Sequence, residues 1–360
     1  MRVAFALLLV GCSSIGAAQA PLVEPFPEST LVAEARIRDA VAAAAVDIGD
    51  NRARVVLLER ADGRRLRVEV GSPVEPFITS STAKPIISAI ALDYADRGLV
   101  DLDETVGFYL PGWATVATGA HATTTVRDLM RFTGSATAGT LCERERPHAA
   151  FLACVEALPL DPANPDTRPN GDFRYAGQQL NVLSAVLVAV SGLADYQAVA
   201  DEWSSRTGLF PSPDFYPNSS QPSGAISMEV TAEQYLDFLG AVDTCSILSD
   251  TPRGRRLCAQ MQTDQIPYWG EPTRAEQELG EDWHFGFGMW LECRTTAHDC
   301  AEHPVVSTFG RGGQYGLIDR ARGIRGYIGP TLGPDAGSNG LRLYRAIEPL
   351  VHDWARLGAP

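Results

Sequence analysis

The chain has 360 residues, of which 45% are hydrophobic and 21% are charged. This composition is typical of a globular protein with one large domain or two smaller ones. The formal net charge of −14 argues against a general affinity for nucleic acid or for an anionic membrane surface. We therefore expect no nucleic-acid partner.

The first residues have the features of an export signal. Arg2 supplies a positive charge, and Val3–Val10 form an apolar run that is too short to span a bilayer. Two processing sites stay open. The stretch Leu9–Cys12 resembles a bacterial lipobox, which would lipidate its cysteine, whereas Ala18–Ala20 resembles an ordinary cleavage site. Both predict an exported, periplasmic protein, either soluble or lipid-anchored through Cys12.

Predicted elements follow along residues 21–360, which we interpret as a single domain. A helix capped by Ser29 or Thr30 extends to about Val46, and strands over 54–59 and 65–70 are joined by Asp62-Gly63, a strong hairpin signal. A second helix runs from about 81 to 97. Residues 100–275 mix helical patterns with loops rich in proline and glycine.

The C-terminal quarter predicts four strands and a closing helix. The strands cover 286–291, 305–309, 315–319 and 324–328, and the amphipathic helix covers 341–357. Strands at both ends of the chain predict an α+β fold with one antiparallel sheet built from distant segments. The sheet lobe would comprise about 30–80 and 280–360, and a mainly helical lobe would be inserted over about 81–279.

Six cysteines beyond the leader fall into three close pairs. In an oxidising compartment such pairs are typical of local disulfides, although six cysteines allow fifteen pairings. A zinc site is an alternative for the last pair, because His298 and His303 lie beside it, but we favour the disulfide and expect no metal. The pairs are Cys142 and Cys154, Cys245 and Cys258, and Cys293 and Cys300.

The stretch Ser81-Thr82-Ala83-Lys84 places a hydroxyl and an amine three residues apart at a predicted helix start. Residues i and i+3 share a helical face, so Lys84 can reach the oxygen of Ser81. A serine hydroxyl needs such an adjacent base to become a nucleophile. The pattern alone also fits a capped helix start with an exposed lysine. No Gly-x-Ser-x-Gly is present, which disfavours an α/β-hydrolase.

Several further segments follow in order along the chain. They are Leu92 to Asp103 with Tyr109-Leu110-Pro111, Thr124 to Met130, Phe132-Thr133-Gly134-Ser135, Phe173-Arg174-Tyr175-Ala176-Gly177, and Phe309 to Tyr315. In this order, over residues 30–355, the set resembles the β-lactamase-related serine hydrolases, a family that includes class C β-lactamases, penicillin-binding carboxypeptidases, esterases and nylon-oligomer hydrolases. The ordered set is specific.

The resemblance implies roles for these residues. Ser81 would attack a carbonyl carbon, and Lys84 or Tyr175 would take its proton, a choice that the sequence leaves open. The backbone N–H groups of Ser81 and Gln314 would bind the oxyanion. Gly312 and Gly313 would let the substrate approach the strand closely. No cofactor is implied, since side chains and backbone donors supply the chemistry.

Two positions depart from the family pattern. Gly177 replaces an asparagine that holds the substrate amide in lactamases, which weakens the case for efficient β-lactam turnover. Arg311 replaces a lysine or histidine and suits a substrate carboxylate, although a structural salt bridge fits it equally well. We therefore expect a monomeric hydrolase that cleaves a small ester, an amide or a D-amino-acid peptide or β-lactam-like substrate, either a small molecule or derived from the cell wall. The alternative is a slowly acylating cell-wall binding or sensor protein on the same scaffold.

Two other groups of residues have competing interpretations. Arg206-Thr207-Gly208 imitates the third family motif, but its position after a helical stretch predicts a helix C-terminus instead. A set of aromatic residues near the C-terminal strands belongs to the core or, less favoured, to the wall of a cleft. These aromatics are Trp283, Phe285, Phe287 and Trp290.

Overall fold

The structure is a computed structural model that describes residues 29–50, 52–116, 120–134, 142–145, 147–158, 173–216, 222–225, 227–266, 279–293, 305–330 and 337–358. The leader, with Cys12, lies outside these residues. The helices are α1 (Thr30–Asp47), α2 (Lys84–Asp96), α3 (Val106–Tyr109), α4 (Pro111–Val116), α5 (Ala120–Thr123), α6 (Val126–Met130), α7 (His148–Glu156), α8 (Gln178–Ser191), α9 (Tyr196–Thr207), α10 (Ala232–Asp243), α11 (Pro252–Ala259) and α12 (Asn339–Arg356).

Seven of the strands form one antiparallel sheet in the order β2-β1-β10-β9-β8-β7-β6. The strands are β1 (Arg54–Arg60), β2 (Arg65–Val70), β3 (Phe77–Ile78), β4 (Asp214–Tyr216), β5 (Ser227–Val230), β6 (His284–Phe285), β7 (Trp290–Glu292), β8 (Val305–Phe309), β9 (Tyr315–Asp319) and β10 (Ile324–Pro330).

The sheet joins the two ends of the chain. Strand β1 pairs antiparallel with β10, so that Arg54 lies opposite Pro330 and Arg60 lies opposite Ile324. All seven residues of β1 are buried, because α1 and α12 cover one face of the sheet and α10 packs on the other. The predicted α+β fold, with one sheet from distant segments, is confirmed.

Local signals placed most elements correctly. Ser29 caps α1 by accepting a hydrogen bond from the Val32 N–H at 3.3 Å. Gly63 turns the β1–β2 hairpin with a φ of 81°. Gly208 ends α9 in the left-handed conformation, as predicted for the Arg206–Gly208 stretch.

The single strand predicted over 286–291 is wrong. The chain forms a hairpin here, with β6 before the predicted segment and β7 overlapping its end. Gly288 has a φ of 79°, and a Cβ on Gly286 would lie 2.2 Å from the Met261 carbonyl oxygen. These glycines permit a tight turn, which was not predicted because they lie within a run of apolar residues. The region between the sheet segments also contains β4 and β5, which pair with β3 in a second sheet of three strands.

Two predicted disulfides are confirmed, between Cys142 and Cys154 and between Cys245 and Cys258. Cys293 is also disulfide-bonded, and its predicted partner Cys300 lies outside the described residues. In the part of the chain that the structure describes, no single helix is long and apolar enough to cross a membrane. Helices α8 and α9 reach that length only together, across a bend of 70°.

Candidate active site

Strand β3 leads directly into the segment that carries Ser81. A 3-10 turn over Ser80–Ala83 follows, and α2 begins at Lys84, three residues later than the predicted helix start. Ser80 has a φ of 50°, in a region that residues other than glycine seldom occupy. This strained residue turns the chain sharply and presents Ser81 immediately before the N-terminus of α2, where the helix dipole favours negative charge.

Buried hydrogen bonds hold the turn in place. Thr79 exchanges backbone and hydroxyl hydrogen bonds with Met228 of β5, each 2.9 Å long. The Tyr235 hydroxyl of α10 donates to the Thr82 carbonyl at 2.7 Å, and Tyr327 of β10 stacks on Tyr235 with ring centroids 4.3 Å apart. The residues on both sides of Ser81 are therefore tied to separate elements of the core.

Lys84 and Ser81 are in direct contact. The Lys84 Nζ lies 2.8 Å from the Ser81 Oγ, which is hydrogen-bond distance. The lysine is 7% exposed, and this burial lowers the pKa of its amine to about 8. An amine with this pKa is partly neutral near pH 7, so that it can accept a proton from the serine.

Tyr175 completes a three-residue cluster. Its ring centre lies 4.8 Å from the Lys84 Nζ, and its phenol is near enough to the Ser81 side chain to interact with it. Removal from water raises the pKa of the phenol above its usual value, an effect that the interaction with Ser81 reduces. The side chain as a whole is 40% exposed, so it also forms part of the open surface of the site.

Buried aromatic rings support Tyr175 from behind. Phe132 stacks on it with centroids 4.9 Å apart, Trp290 lies at 5.5 Å and Phe285 packs edge-on at 6.1 Å. Phe132 is fully buried. The four aromatics that were assigned to the core are buried too, the most exposed at 5%, so the core assignment is confirmed and the cleft-wall alternative is wrong. These four are Trp283, Phe285, Phe287 and Trp290. The Phe132 carbonyl also accepts a hydrogen bond from the Arg174 N–H at 2.7 Å, which fixes the segment before Tyr175.

The turn between β8 and β9, residues 310–314, lies against the segment that precedes Ser81. A Cβ on Gly310 would lie 2.8 Å from the Thr79 carbonyl oxygen, so glycine is required for this close approach. Gln314 is 2% exposed, and its Nε2 donates to the Ile78 carbonyl at 2.5 Å. The sequence pointed to Gly312 and Gly313. The structure shows that Gly310 makes the contact with residues 78–84, the nucleophile segment.

The two departures from the family pattern occupy different surroundings. Arg311 is exposed in the β8–β9 turn, and its carbonyl accepts a hydrogen bond from the Gly337 N–H at 3.1 Å. Gly177 caps α8 with an ordinary φ of −63°, and a Cβ there would meet only the Ala225 methyl group, at 3.8 Å. The fold therefore does not require glycine at position 177.

Among the described residues, no group of three His, Cys, Asp or Glu side chains could hold a metal ion. His298 and His303, the candidates for zinc, lie outside those ranges.

The residues that hold the active-site turns could not be predicted from the sequence. No local sequence pattern marks them, because each acts on a segment far away in the chain. They are Tyr235, Tyr327, Arg52 and the side chain of Gln314. The Gln314 hydrogen bond, for example, spans 236 residues.

The chain matches the family described as Beta-lactamase over residues 30–328. No curated protein matches it. Among solved structures, a putative beta-lactamase from Bacteroides dorei DSM 17855 superposes with a TM-score of 0.69 at 17% identity, covering 87% of this chain and 98% of the other.

Two further structures have the same fold. EstCE1, a hydrolase with promiscuous acyltransferase activity, gives a TM-score of 0.62 at 19% identity, covering 88% of this chain and 98% of its own. A D-stereospecific amidohydrolase from Streptomyces sp. gives 0.61 at 16% identity, covering 87% and 98%. At these identities the likeness is one of fold.

Proposed function

Since the chain belongs to the β-lactamase family of serine hydrolases, we propose that it cleaves a small ester, amide or D-amino-acid peptide through an acyl-enzyme on Ser81. The observation that supports this most strongly is the contact of three chemically matched groups. The Lys84 amine lies 2.8 Å from the Ser81 hydroxyl, and the Tyr175 ring centre lies 4.8 Å from the same amine, with its phenol near the serine.

Lys84 is the general base of the first step in this proposal. Its amine, with a pKa of about 8, takes the hydroxyl proton as the Ser81 Oγ bonds to the substrate carbonyl carbon. Tyr175 is unsuited to that role because its raised pKa keeps the phenol protonated. The phenol instead passes its proton to the leaving group when the tetrahedral intermediate collapses, and the Lys84 ammonium returns a proton to the phenol. Water then attacks the acyl carbon, the neutral Lys84 amine takes its proton, and that proton returns to the Ser81 oxygen as the acid is released.

The oxyanion of the intermediate needs two hydrogen-bond donors. We assign the backbone N–H groups of Ser81 and Gln314, each of which contributes about 3–4 kcal/mol in sites of this kind. The contact of the β8–β9 turn with Ile78 and Thr79 supports this assignment, because it keeps the turn beside the nucleophile segment.

The substrate is an ester or amide in preference to a β-lactam. Gly177 has no side chain with which to hold a lactam amide, and an arginine at position 311, which is exposed, suits a substrate with a free carboxylate. Two structural neighbours, a hydrolase with promiscuous acyltransferase activity and a D-stereospecific amidohydrolase, support this choice, whereas a third is a putative beta-lactamase.

Export of the protein completes the proposal. Disulfides form and persist in oxidising compartments, and two of them lie among the described residues. The periplasm, with its cell-wall peptides, is the expected location, and the protein works there as a monomer. N-terminal sequencing of the mature protein would distinguish a lipidated start at Cys12 from cleavage near Ala18.

Replacement of Ser81 by alanine tests the assignment. Hydrolysis of p-nitrophenyl esters should fall at least about 1,000-fold, because the nucleophile is lost. Ser80→Gly is the matched control, since glycine tolerates the φ of 50° and leaves Ser81 in place. Turnover that survives Ser81→Ala would refute the assignment. A stable adduct on Ser81 without turnover would instead indicate a sensor.

A further inference from the structure

The β8–β9 turn is held from two opposite sides by side chains that have no part in the chemistry. We infer that Arg52 and Gln314 are positioning residues, which fix this turn at the distance from Ser81 that oxyanion binding requires. This inference rests on the proposed function, because it concerns the same active site. It assigns a role to the Gln314 side chain that is separate from that of its backbone N–H.

Gln314 joins the turn to the nucleophile segment. Its Nε2 donates to the carbonyl of Ile78, three residues before Ser81, at 2.5 Å. Its Oε1 is buried beneath the turn, where a Cβ on Gly310 would lie only 2.2 Å away and one on Gly312 would lie 3.1 Å away. The two glycines therefore lie directly against the amide, and the size of the amide sets the distance between the turn and Ile78.

Arg52 holds the opposite side of the turn. Its Nη1 donates to the Gly312 carbonyl at 2.8 Å, and the rest of its guanidinium forms a fork on Asp50, with bonds of 2.9 Å and 2.7 Å. A bidentate pair of this kind fixes the orientation of the guanidinium as well as its position.

Asp50 is itself firmly held. Arg54 forms a salt bridge with it at 2.8 Å, and Asn339 donates to it at 3.2 Å. Burial alone would raise the pKa of the Asp50 carboxyl, but the hydrogen bonds from Arg52 and Asn339 and the charge of Arg54 keep it well below its usual value, so Asp50 stays ionised beside Arg52 across the working pH range. The arrangement links α12, the start of β1 and the turn in one polar network.

Peptide planarity explains why the carbonyl contacts matter. The C=O and N–H of one peptide group lie in a plane and point in opposite directions, so a carbonyl that is held also fixes the N–H of the next residue. Arg52 holds the Gly312 carbonyl, and the Gly337 N–H holds the Arg311 carbonyl at 3.1 Å. The Arg52 contact thus fixes the peptide plane before the one that carries the Gln314 N–H, and the Gly310 N–H, which donates to the Gln314 carbonyl at 2.9 Å, fixes the plane after it. The assigned donor lies between two fixed planes before a substrate arrives, which is the preorganisation that oxyanion stabilisation needs.

The test compares Arg52→Met and Gln314→Met with Arg320→Met. Arg320 is a matched control, because it lies at the other end of β9 and also binds an aspartate, Asp243, through its carboxylate at 2.9 Å and its carbonyl at 3.0 Å. For each folded variant we would measure kcat and KM on a p-nitrophenyl ester, the pH profile, and inhibition by phenylboronic acid. The boronate forms a tetrahedral anion on a serine and so reports on the oxyanion site.

We expect kcat to fall about 10- to 100-fold in Arg52→Met and Gln314→Met, the range that small misplacements of catalytic groups produce. KM and the pH midpoint should stay within about twofold of wild type, and the phenylboronic acid Ki should rise with the fall in kcat. Arg52→Lys should recover part of the activity, because an ammonium group can still donate to the Gly312 carbonyl. Arg320→Met should behave as wild type.

The inference is overturned if folded Arg52→Met and Gln314→Met keep the wild-type kcat and boronate Ki, or if Arg320→Met loses as much. If the methionine variants do not fold, Arg52→Lys decides the matter, because a wild-type kcat and Ki in that variant would contradict a need for the guanidinium fork. A wild-type protein that neither hydrolyses the ester nor forms an adduct on Ser81 refutes the proposed function, and the inference fails with it.

Discussion

The nucleophile segment and the β8–β9 turn form the two halves of one site, and they are built in different ways. Ser81 and Lys84 meet through a separation of three residues along the chain. The turn at 310–314 depends on Ile78 and Arg52, which lie 236 and 260 residues from their partners. The reactive pair is thus encoded locally, whereas the proposed oxyanion half exists only after the sheet has joined the two ends of the chain.

This difference separates the residues that react from the residues that hold the site in shape. Changes at Ser81, Lys84 or Tyr175 should remove reactive groups, and their effects should appear in the pH profile or in the chemical step itself. Changes around the turn should leave the reactive groups intact and alter only how well the transition state is held.

Lys84→Met should lower ester hydrolysis about 1,000-fold or more, because it removes the proposed base beside Ser81. The same change should raise the free energy of unfolding at pH 7 by about 3 kcal/mol at most, since the folded protein no longer holds a buried amine whose pKa is lowered from 10.5 to about 8. Steady-state kinetics and urea denaturation would measure the two effects. A variant that is less active but also clearly less stable would contradict this explanation.

Tyr175→Phe should lower kcat about 100-fold, because the phenol that donates to the leaving group is lost while the ring remains. The packing on Phe132 and Trp290 needs no hydroxyl, so the thermal midpoint should stay close to wild type. The loss should be smaller for esters with good leaving groups, which need less protonation. Equal losses for nitrophenyl and alkyl esters would contradict the proton-transfer role.

The pH profile of kcat/KM should follow the ionisation of Lys84. A lowered pKa means that the amine is charged below about pH 8 and neutral above it, so activity should fall about tenfold per pH unit below that value and level off above it. Folding stability should rise between about pH 8 and 10.4, because the unfolded chain binds the lysine proton there and the folded chain does not. A profile that is flat from pH 6 to 9 would argue against Lys84 as base.

Gly177→Asn should have the smallest effect. The position has an ordinary φ and room for a Cβ, so the variant should fold and keep its ester activity within about twofold. Hydrolysis of a chromogenic cephalosporin should rise about two- to fivefold, as the new amide can hold a lactam. Gly192→Asn, at the other end of α8, is the control. An unchanged cephalosporin rate would contradict the assignment of position 177 to substrate binding.

Much of the fold could be predicted from the sequence, because hydrophobic periodicity and turn residues act over short distances. The β1–β2 hairpin and the strands at 305–309 and 315–319 were placed correctly for this reason. The β6–β7 hairpin was missed, since Gly286 and Gly288 lie within an apolar run and act through a close approach to Met261 and to α2. That approach is a tertiary property.

The candidate site could also be predicted only in part. The cluster of Ser81, Lys84 and Tyr175 was predicted from ordered motifs, and the structure brings the three side chains together. Arg52 and the Gln314 side chain could not be found in this way, because an arginine near a strand start and a buried glutamine have no spacing that marks them. Their importance depends on which carbonyl groups the folded chain brings within reach.

Mass spectrometry of a covalent label would show whether the neighbours of Ser81 activate its hydroxyl. Wild-type protein would be treated with a fluorophosphonate, and its intact mass and peptide map would be measured beside those of Lys84→Met. We expect one adduct per chain, on Ser81, which forms at least about 100 times faster in wild type than in the lysine variant. An adduct on another residue, or equal rates in the two proteins, would contradict activation of Ser81 by Lys84.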